Sequence, residues 1–452
     1  MTPDALLGSR HSLVVAPAGC GKTHLLSETV RANTAGRILV LTHTRAGVAV
    51  IRSRLRTVPA HAYRVSTFDS WAGWLAKQFP GVSGYIPTGT ARDYALAKEC
   101  ALRLLRIGAV QRALAATYCR VLVDEYQGFG RQQFAMVDAI MSVLPAVAFG
   151  DPMQAIFGFN EALPGWAETT KGFETEWELS EPHRWTRVGE ETLGRWVLQC
   201  RSDLAKGLSI DLSKGPPNVC WLPLSSLDEI GCQLRAIAAA PIDGTLLAIN
   251  DSRFTQQRRA LAQRGGAGLS VVETAELPDL RAAAVQIGAS AGLVRVGHLL
   301  DFASSVMIGV DKRGLLDRVM GVCAGNITPA SEEDWALFHA QNLEGVATAL
   351  TALRRTRDVF RPDLLEALLE AARNHGDDLV AAAAKVRARR LDIGRRVEPR
   401  AIGSTLLLKG LEADHVVVLD ADGMSRRDLY VAISRGSKTL TVVSRSPVLP
   451  IR

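Results

Sequence analysis

A glycine-rich loop carries the clearest chemistry in the sequence. Ala16-Pro-Ala-Gly-Cys-Gly-Lys-Thr23 follows a short apolar run and opens a helix predicted from about Lys22 to Arg31. In such a loop backbone N–H groups converge on phosphate oxygens, a lysine reaches the β and γ oxygens, and a threonine hydroxyl can ligate Mg²⁺. The loop therefore predicts a site for a nucleoside triphosphate and Mg²⁺. The residues assigned to it are Ala18, Gly19, Cys20, Gly21, Lys22 and Thr23.

Two further segments place polar side chains at the ends of apolar runs. Val121-Leu-Val-Asp-Glu-Tyr-Gln127 puts adjacent carboxylates after a buried strand, which is costly unless a cation or a reaction uses them. Asp124 is expected to hold the Mg²⁺, and Glu125 to orient and deprotonate the attacking water. Gln154, in Gly150-Asp-Pro-Met-Gln154, is expected to sense the γ-phosphate. Together with the loop, these residues predict hydrolysis of the triphosphate.

The elements that position these residues alternate between strand and helix. Such alternation predicts an α/β fold with a doubly wound parallel sheet, interrupted by helical sequence at 72–117. A second series of strands and helices begins near 215 and is interrupted by helical sequence at 276–398. The predicted strands lie at 12–16, 37–42, 65–68, 121–124, 147–151, 219–222, 244–250, 416–420 and 440–444.

Composition excludes several classes of protein. The 452 residues are 47% hydrophobic and 22% charged, which is ordinary for a globular chain. Seven dispersed cysteines indicate reduced thiols in a cytoplasmic protein, and the N-terminal segment lacks the layout of a secretory signal. The most apolar stretch, 283–310, carries charged residues, so no membrane span is expected. The net charge of +7 is compatible with a polyanionic partner.

The motifs, taken in chain order, resemble those of the UvrD/Rep/PcrA group of superfamily 1 helicases. The resemblance extends the motifs above through Phe159 and adds five segments that fall in the family's order. These segments are Leu41-Thr-His-Thr-Arg-Ala46, Ser66-Thr-Phe68, Leu179–Trp185, Lys409-Gly-Leu-Glu412 and Leu429-Tyr-Val-Ala-Ile-Ser-Arg435. The resemblance implies two RecA-like parallel-sheet domains of the P-loop NTPase type, each interrupted by a mainly helical insertion.

The resemblance also implies domain boundaries. The first RecA-like, ATP-binding domain would comprise 1–71 and 118–185, with 72–117 as a small helical insertion. The second RecA-like domain would comprise 186–275 and 399–452, with 276–398 as its helical insertion.

Further site residues are implied by the resemblance alone. Arg184 and Arg435 would act as arginine fingers, which supply positive charge to the transition state. His183 would stack on adenine, and the segment of Lys409, Gly410 and Glu412 would contact the nucleotide, with Glu412 on the ribose. The implied contacts with a nucleic-acid strand are Thr42, His43, Thr67, Phe68, Phe159 and Ser404.

The implied function is that of an ATP-dependent DNA helicase or translocase that moves 3′→5′ on single-stranded DNA or a tailed duplex. The sequence departs from the family pattern in lacking a glutamine before the loop and in carrying Gly128, Asn160 and Leu406. These departures leave two alternatives open. One is a GajB-like, ATP-regulated partner subunit of a nuclease in phage defence or DNA repair, with weak or no unwinding alone. The other is a degenerate NTPase that serves as a scaffold.

Two basic clusters in the second helical region have two interpretations. They are Arg354-Arg355-Thr-Arg357 and the stretch 387–396. They are either solvated helix faces or a track for duplex phosphates, which would make binding salt-dependent.

Overall fold

The computed structural model describes residues 1–86, 92–156, 164–251, 253–265, 268–274, 276–325, 328–376, 378–393 and 397–449. Its first sheet has six strands in the order β3-β2-β4-β5-β1-β6, and every neighbouring pair is parallel. The strands are β1 (His11–Val15), β2 (Ile38–Thr42), β3 (Tyr63–Thr67), β4 (Arg120–Val123), β5 (Ala146–Gly150) and β6 (Thr175–Glu178).

Helices cover both faces of this sheet. Alternate residues of β2 show why: Leu39 and Leu41 pack into one hydrophobic cluster, whereas Ile38 and Val40 pack into another on the opposite face. A strand buried on both faces is apolar throughout, as expected in a parallel sheet. The helices of this part are α1 (Pro3–Gly8), α2 (Lys22–Ala32), α3 (Arg45–Arg54), α4 (Phe68–Gln78), α5 (Pro80–Ser83), α6 (Arg92–Leu105), α7 (Gly108–Thr117), α8 (Arg131–Met141), α9 (Trp166–Thr169), α10 (His183–Thr186) and α11 (Glu191–Ala205).

A second six-stranded sheet follows, in the order β10-β11-β9-β12-β13-β8. Its pairs β10/β11, β11/β9 and β9/β12 are parallel, and β7 pairs separately with β14 in antiparallel fashion. The strands are β7 (Ile210–Asp211), β8 (Val219–Pro223), β9 (Leu246–Asn250), β10 (Ser270–Val271), β11 (Arg400–Ser404), β12 (Ala413–Val418), β13 (Gly436–Ser444) and β14 (Val448–Leu449).

Helices α14 to α20 lie between β10 and β11 in the chain and share a hydrophobic core of their own. This is the second helical insertion, and α4 to α7 occupy the corresponding place between β3 and β4. The remaining helices are α12 (Glu229–Ala238), α13 (Thr255–Arg264), α14 (Pro278–Gly288), α15 (Gly292–Val306), α16 (Lys312–Cys323), α17 (Glu332–His339), α18 (Val346–Arg355), α19 (Pro362–Arg373), α20 (Leu379–Ile393), α21 (Thr405–Leu408) and α22 (Arg426–Ile433).

The chain divides into two packing units. The first consists of Met1–Val219, Met424–Lys438 and Val448–Arg452, and the second of Cys220–Gly423 and Thr439–Pro447. The predicted fold class, an α/β fold with two parallel sheets interrupted by helical insertions, is confirmed. Residues 186–219 and 424–438 pack with the first unit, whereas the boundaries predicted from the sequence put them in the second domain; those boundaries stay a prediction. Within the described residues, every helix is too short or too polar to cross a bilayer.

Candidate active site

The glycine loop joins β1 to α2 and packs tightly against α10. Gly19 and Gly21 have φ values of +75° and +86°, in the left-handed region that favours glycine. A Cβ on Gly19 would lie 2.6 Å from Cζ3 of Trp185, and one on Gly21 would lie 3.0 Å from Cδ2 of the exposed His183. The backbone conformation therefore favours glycine at both positions, and at Gly19 the buried Trp185 ring also leaves no room for a side chain.

Two buried aromatic residues hold the loop from outside its own sequence. The Ala18 N–H donates to the Tyr430 hydroxyl at 2.9 Å, and Tyr430 lies in α22 of the same unit. Trp185, which packs on Gly19, donates from Nε1 to the Gly436 carbonyl at 2.8 Å. Neither aromatic residue was predicted to belong to the site, although Trp185 ends the segment Leu179–Trp185 and Tyr430 lies in the segment 429–435. The return of 424–438 to the first unit is what brings Tyr430 to the loop.

Lys22 bridges the two acidic residues that follow β4. Its Nζ lies 3.3 Å from Oδ1 of Asp124 and pairs with Oε1 of Glu125. Burial lowers the pKa of the Lys22 ammonium, but the charges of Asp124 and Glu125 outweigh burial and raise that pKa above its usual value. The loop lysine and both predicted acidic residues thus form one charged cluster.

The donors beside Lys22 fit a hard cation such as Mg²⁺. Asp124 is buried, and burial raises the pKa of its carboxyl against the opposing charge of Lys22. Beyond the ion pair with Lys22, its Oδ1 has no hydrogen-bond partner in the described part of the chain, while its Oδ2 accepts from the Thr42 hydroxyl at 3.3 Å. Carboxylate and hydroxyl oxygens are ligands that Mg²⁺ prefers. Asp124 and the Thr23 hydroxyl would hold it.

Glu125 adopts an unusual backbone conformation for a residue with a side chain. Its φ of 56° and ψ of 38° are left-handed, which costs of order 1–3 kcal/mol. Its Oε2 accepts from Nε2 of Gln127 at 2.9 Å, and Oε1 of Gln127 in turn accepts the Asp151 N–H at 3.0 Å. The Glu125 carboxylate is therefore oriented by Gln127, which also contacts the end of β5.

Asp151 is fully buried and is the centre of a network at the end of β5. Its Oδ1 accepts from Nη2 of Arg201 at 2.9 Å and from Nε of Arg201 at 3.1 Å. Its Oδ2 accepts from Nε2 of Gln154 at 3.1 Å. Arg201 lies in α11 and was not predicted, because it belongs to no motif. The network fixes the amide of Gln154 relative to the segment that orients Glu125.

Replacing Arg201 with alanine should destabilise the protein by about 3–5 kcal/mol, since Asp151 would be left buried without its cation. Chemical denaturation measures this free energy of unfolding. The matched control is Arg195→Ala on the same helix, where the pair with Glu191 is exposed on both sides and should contribute about 0–1 kcal/mol. Equal losses of unfolding free energy in the two variants would show that the Arg201–Asp151 pair stabilises the protein no more than an exposed ion pair does.

The two predicted arginine fingers are buried in the first unit. Nη1 of Arg184 donates to the Ser434 carbonyl. Arg435 donates from Nε to the Val431 carbonyl at 2.9 Å, and its Nη2 lies 3.5 Å from Oε1 of Gln154. The backbone N–H of Arg184 also donates to the Gly19 carbonyl at 3.1 Å. The structure thus links Gln154, both arginines and the loop through a continuous set of contacts.

Ser404 and the segment of Lys409, Gly410 and Glu412 lie in the second unit. Ser404 caps α21 by accepting the Leu407 N–H at 3.3 Å. Gly410 has a φ of +83°, and Glu412 is exposed. The expected contacts of Ser404 with a strand, and of Lys409, Gly410 and Glu412 with the nucleotide, stay predictions.

The predicted nucleic-acid contacts of the first unit differ in exposure. Thr42 is fully buried against Asp124, and Phe68 is 1% exposed, with its ring 4.8 Å from that of Phe129. Thr67 caps α4, and His43 is partly exposed. Thr42 and Phe68 therefore offer almost no surface to a strand in this conformation, so their assignment, which stays a prediction, requires a rearrangement. Phe159 lies outside the described residues.

The chain has partial similarity to a protein family and to solved structures. A family model described as an AAA domain matches residues 4–160, which hold the glycine loop, the paired acidic residues and Gln154. No curated protein matches the chain. Solved structures with similarity include the arterivirus nonstructural protein 10 (helicase) in complex with DNA, with 10% identity and a TM-score of 0.35 over 96% of this chain and 60% of that one. The Pif1 helicase from Candida albicans has 12% identity and a TM-score of 0.35 over 98% and 92% of the two chains. The chain thus spans about 60% of the arterivirus helicase.

Proposed function

We propose that the protein is an ATP-dependent DNA helicase or translocase of the superfamily 1 type, UvrD-like in its motifs, that moves 3′→5′ on single-stranded DNA. One observation carries the ATP hydrolysis: a single unit holds the Lys22–Asp124–Glu125 cluster and the linked set of Gln154, Arg184 and Arg435. The polarity and the DNA substrate rest on the resemblance of the motifs.

Each residue of this set has a distinct role in the proposal. Lys22 and the loop N–H groups bind the phosphates, and Glu125 positions and deprotonates the water. Mg²⁺, held by Asp124 and Thr23, would neutralise phosphate charge. Arg184 and Arg435 stabilise the charge that develops in the transition state, and Gln154 senses the γ-phosphate. Buried guanidinium groups suit this role because they act in a medium of low polarity.

The link from nucleotide to strand would run through the Asp151 network. Glu125, Gln127 and Asp151 are joined by hydrogen bonds, and Asp151 also holds Gln154. A change at the γ-phosphate can therefore reach the segment that leads toward Phe159. The predicted division into two RecA-like domains, with His183 and Glu412 on the adenosine, belongs to the same proposal.

The second candidate is an ATP-regulated, GajB-like partner subunit of a nuclease in phage defence or DNA repair. The burial of Thr42 and Phe68 favours it, since these side chains are closed to a strand in this conformation. Gly128 and Leu406, where the family carries other residues, favour it as well. In this candidate ATP hydrolysis is retained and unwinding by the isolated chain is weak or absent.

Steady-state ATPase measurements, with and without single-stranded DNA, test the proposal together with strand displacement. A motor of the proposed polarity should hydrolyse ATP faster with single-stranded DNA and displace a strand from a 3′-tailed duplex but not from a 5′-tailed one. ATP hydrolysis without stimulation or displacement would favour the partner subunit. Absence of hydrolysis under all conditions would contradict both the motor and the partner subunit, and would favour a degenerate NTPase that serves as a scaffold.

Phe159 separates the motor from the partner subunit. If Phe159 stacks on a base in each cycle, Phe159→Ala should weaken binding of a single strand by roughly 1–3 kcal/mol and sharply reduce stimulation of the ATPase by DNA. Basal hydrolysis should remain, because no phosphate contact is removed. Thermal unfolding beside a DNA-titrated ATPase assay checks the result. A folded variant with full DNA stimulation would exclude the stacking role.

A further inference from the structure

Residues 29–68 carry an excess of positive charge equal to the net charge of the whole chain. This segment has seven arginines and neither aspartate nor glutamate. The whole chain has 53 basic and 46 acidic residues. Outside the segment there are therefore 46 basic and 46 acidic residues, and their charges cancel. The arginines are Arg31, Arg37, Arg45, Arg52, Arg54, Arg56 and Arg64. The net charge of +7 thus belongs formally to one stretch of the first unit.

Three of these residues, Arg37, Arg52 and Arg64, line a cleft of about 360 Å³ beside β3, which we call the arginine cleft. β3 is an edge strand of the first sheet. The other lining residues are uncharged, so the cleft contains no carboxylate. Across the described residues, no ion pair joins any of the three guanidinium groups to an acidic side chain. The cleft is therefore a concentration of uncompensated positive charge.

The three guanidinium groups are fixed in place by local contacts. Nε of Arg37 donates to the Tyr63 carbonyl at 3.4 Å, and Nη2 of Arg52 donates to the Val65 carbonyl at 2.9 Å. Both carbonyls face the open edge, since the neighbouring Ala62 carbonyl accepts from β2. Arg64 lies over the Trp74 ring, 3.7 Å from its centroid.

These contacts leave donors for a ligand. A guanidinium group has five N–H donors, and each edge contact of Arg37 and Arg52 uses one of them. Side chains that are already ordered lose less entropy when they bind. The arginine cleft is thus preorganised for an anion with several oxygens.

In the part that the structure describes, most arginines of the basic clusters in the second helical insertion are paired with carboxylates. Arg354, Arg355 and Arg357 pair with Glu366, Glu332 and Glu333, and Arg389 lies 3.1 Å from Glu370. Their charge is compensated locally, which is the arrangement of a solvated helix face. Charge density in the sequence alone does not distinguish these clusters from the arginine cleft, whereas the ion pairs do.

We propose that the arginine cleft binds the sugar–phosphate backbone of a nucleic-acid strand. Planar guanidinium forks match phosphate oxygens, and phosphate contacts dominate the affinity of proteins for nucleic acids. Tyr63 lies four residues before Thr67 on β3, about 13 Å along the strand. The same edge therefore leads toward the predicted contacts at Thr67 and His43, and one strand can reach both places. This inference rests on the proposed function for the identity of the polyanion.

The test is the salt dependence of binding to a labelled single strand, measured by fluorescence anisotropy. In the variant R37Q/R52Q/R64Q the slope of log K against log salt should fall by about 2, since each lost phosphate contact is worth about 0.7 on a single strand. The control R354Q/R355Q/R389Q removes the same number of charges and should keep the wild-type slope. Equal slopes in the cleft variant and the wild type, or equal losses in the cleft variant and the control, would overturn the proposal.

Further measurements separate binding from folding. R37K/R52K/R64K retains the charge and should retain most of the slope. If the glutamine variant fails to unfold cooperatively, R64Q alone carries the test, because Arg64 caps no edge carbonyl, and its slope should fall by about 0.7. An unchanged slope in folded R64Q would then overturn the proposal. Stronger retention of a polyglutamate peptide than of DNA would overturn it in favour of an acidic protein partner.

The readouts also distinguish this proposal from the function on which it rests. ATPase activity without nucleic acid should be unchanged in the cleft variant, since its three residues lie outside the candidate active site. A wild-type protein that hydrolyses ATP but binds no strand would overturn the cleft and leave hydrolysis intact. Cleft-dependent binding in a protein without ATPase activity would support the cleft and contradict the proposed motor.

Discussion

Glu125→Gln is expected to lower ATP turnover by about 10²–10⁴, because it removes the group that we propose positions and deprotonates the water. Nucleotide affinity should be retained. In the structure Lys22 pairs with both Glu125 and Asp124, so the substitution removes one partner that competes with phosphate for the lysine. Single-turnover hydrolysis and equilibrium binding of ATP, measured on the same preparation, separate the two effects.

Two further variants are needed to interpret the result for Glu125→Gln. Lys22→Ala removes the phosphate ligand itself and should lose nucleotide binding and turnover together. Glu28 is a half-exposed carboxylate on α2 that pairs with Arg31, outside the candidate site, and Glu28→Gln changes the net charge equally and should leave both unchanged. Near-normal hydrolysis by Glu125→Gln would show that the acidic residues after β4 do not form the hydrolytic centre.

Arg435→Ala is expected to reduce turnover by about 10³–10⁵, the range found for arginine fingers in phosphoryl transfer. The side chain is 3% exposed, and its Nη2 lies 3.5 Å from Oε1 of Gln154. A buried cation at this position should act on the transition state far more than on bound ATP, so the loss should appear in kcat with KM changed less than about tenfold.

Two further variants, Arg435→Lys and Arg426→Ala, test whether the effect requires a guanidinium group at position 435. Lysine keeps the charge but lacks the planar fork, so its turnover should lie between those of wild type and Arg435→Ala. Arg426 lies on the exposed side of α22, and its removal should leave turnover near wild type. Because Arg435 is buried, thermal unfolding of each variant should accompany the kinetics. A folded Arg435→Ala protein with normal kcat would exclude the arginine finger.

The sequence predicts a strand well where the apolar pattern of neighbouring residues is clear. The strands that precede the glycine loop, Asp124 and Asp151 are mainly apolar runs, and each was predicted close to its observed position. Strand β6 was not predicted, because all four of its residues are exposed and polar side chains dominate it. Strand β10 has only two residues, too few for any periodicity.

The parts of the candidate site that were missed depend on distant contacts. Arg201, Tyr430 and Trp185 act through residues far from them in sequence, and no spacing rule connects α11 to the end of β5 or α22 to the glycine loop. The burial of Thr42 and Phe68 also could not be read from the motif, since an aromatic or hydroxyl side chain at a strand end suits either a core or a ligand. Three-dimensional packing decides between these outcomes.

The contact between Ala18 and Tyr430 spans 412 positions of the chain. During synthesis, domains generally fold from the N-terminus as the chain emerges from the ribosome. The first sheet can form early, but Tyr430, which holds the loop at Ala18, and Arg435 are synthesised only after most strands of the second sheet. A nascent chain interrupted anywhere between residues 219 and 424 therefore has a phosphate loop without Arg435. In the proposed mechanism such a fragment would lack the second arginine finger, so full hydrolysis would require the return of residues 424–438 to the first unit.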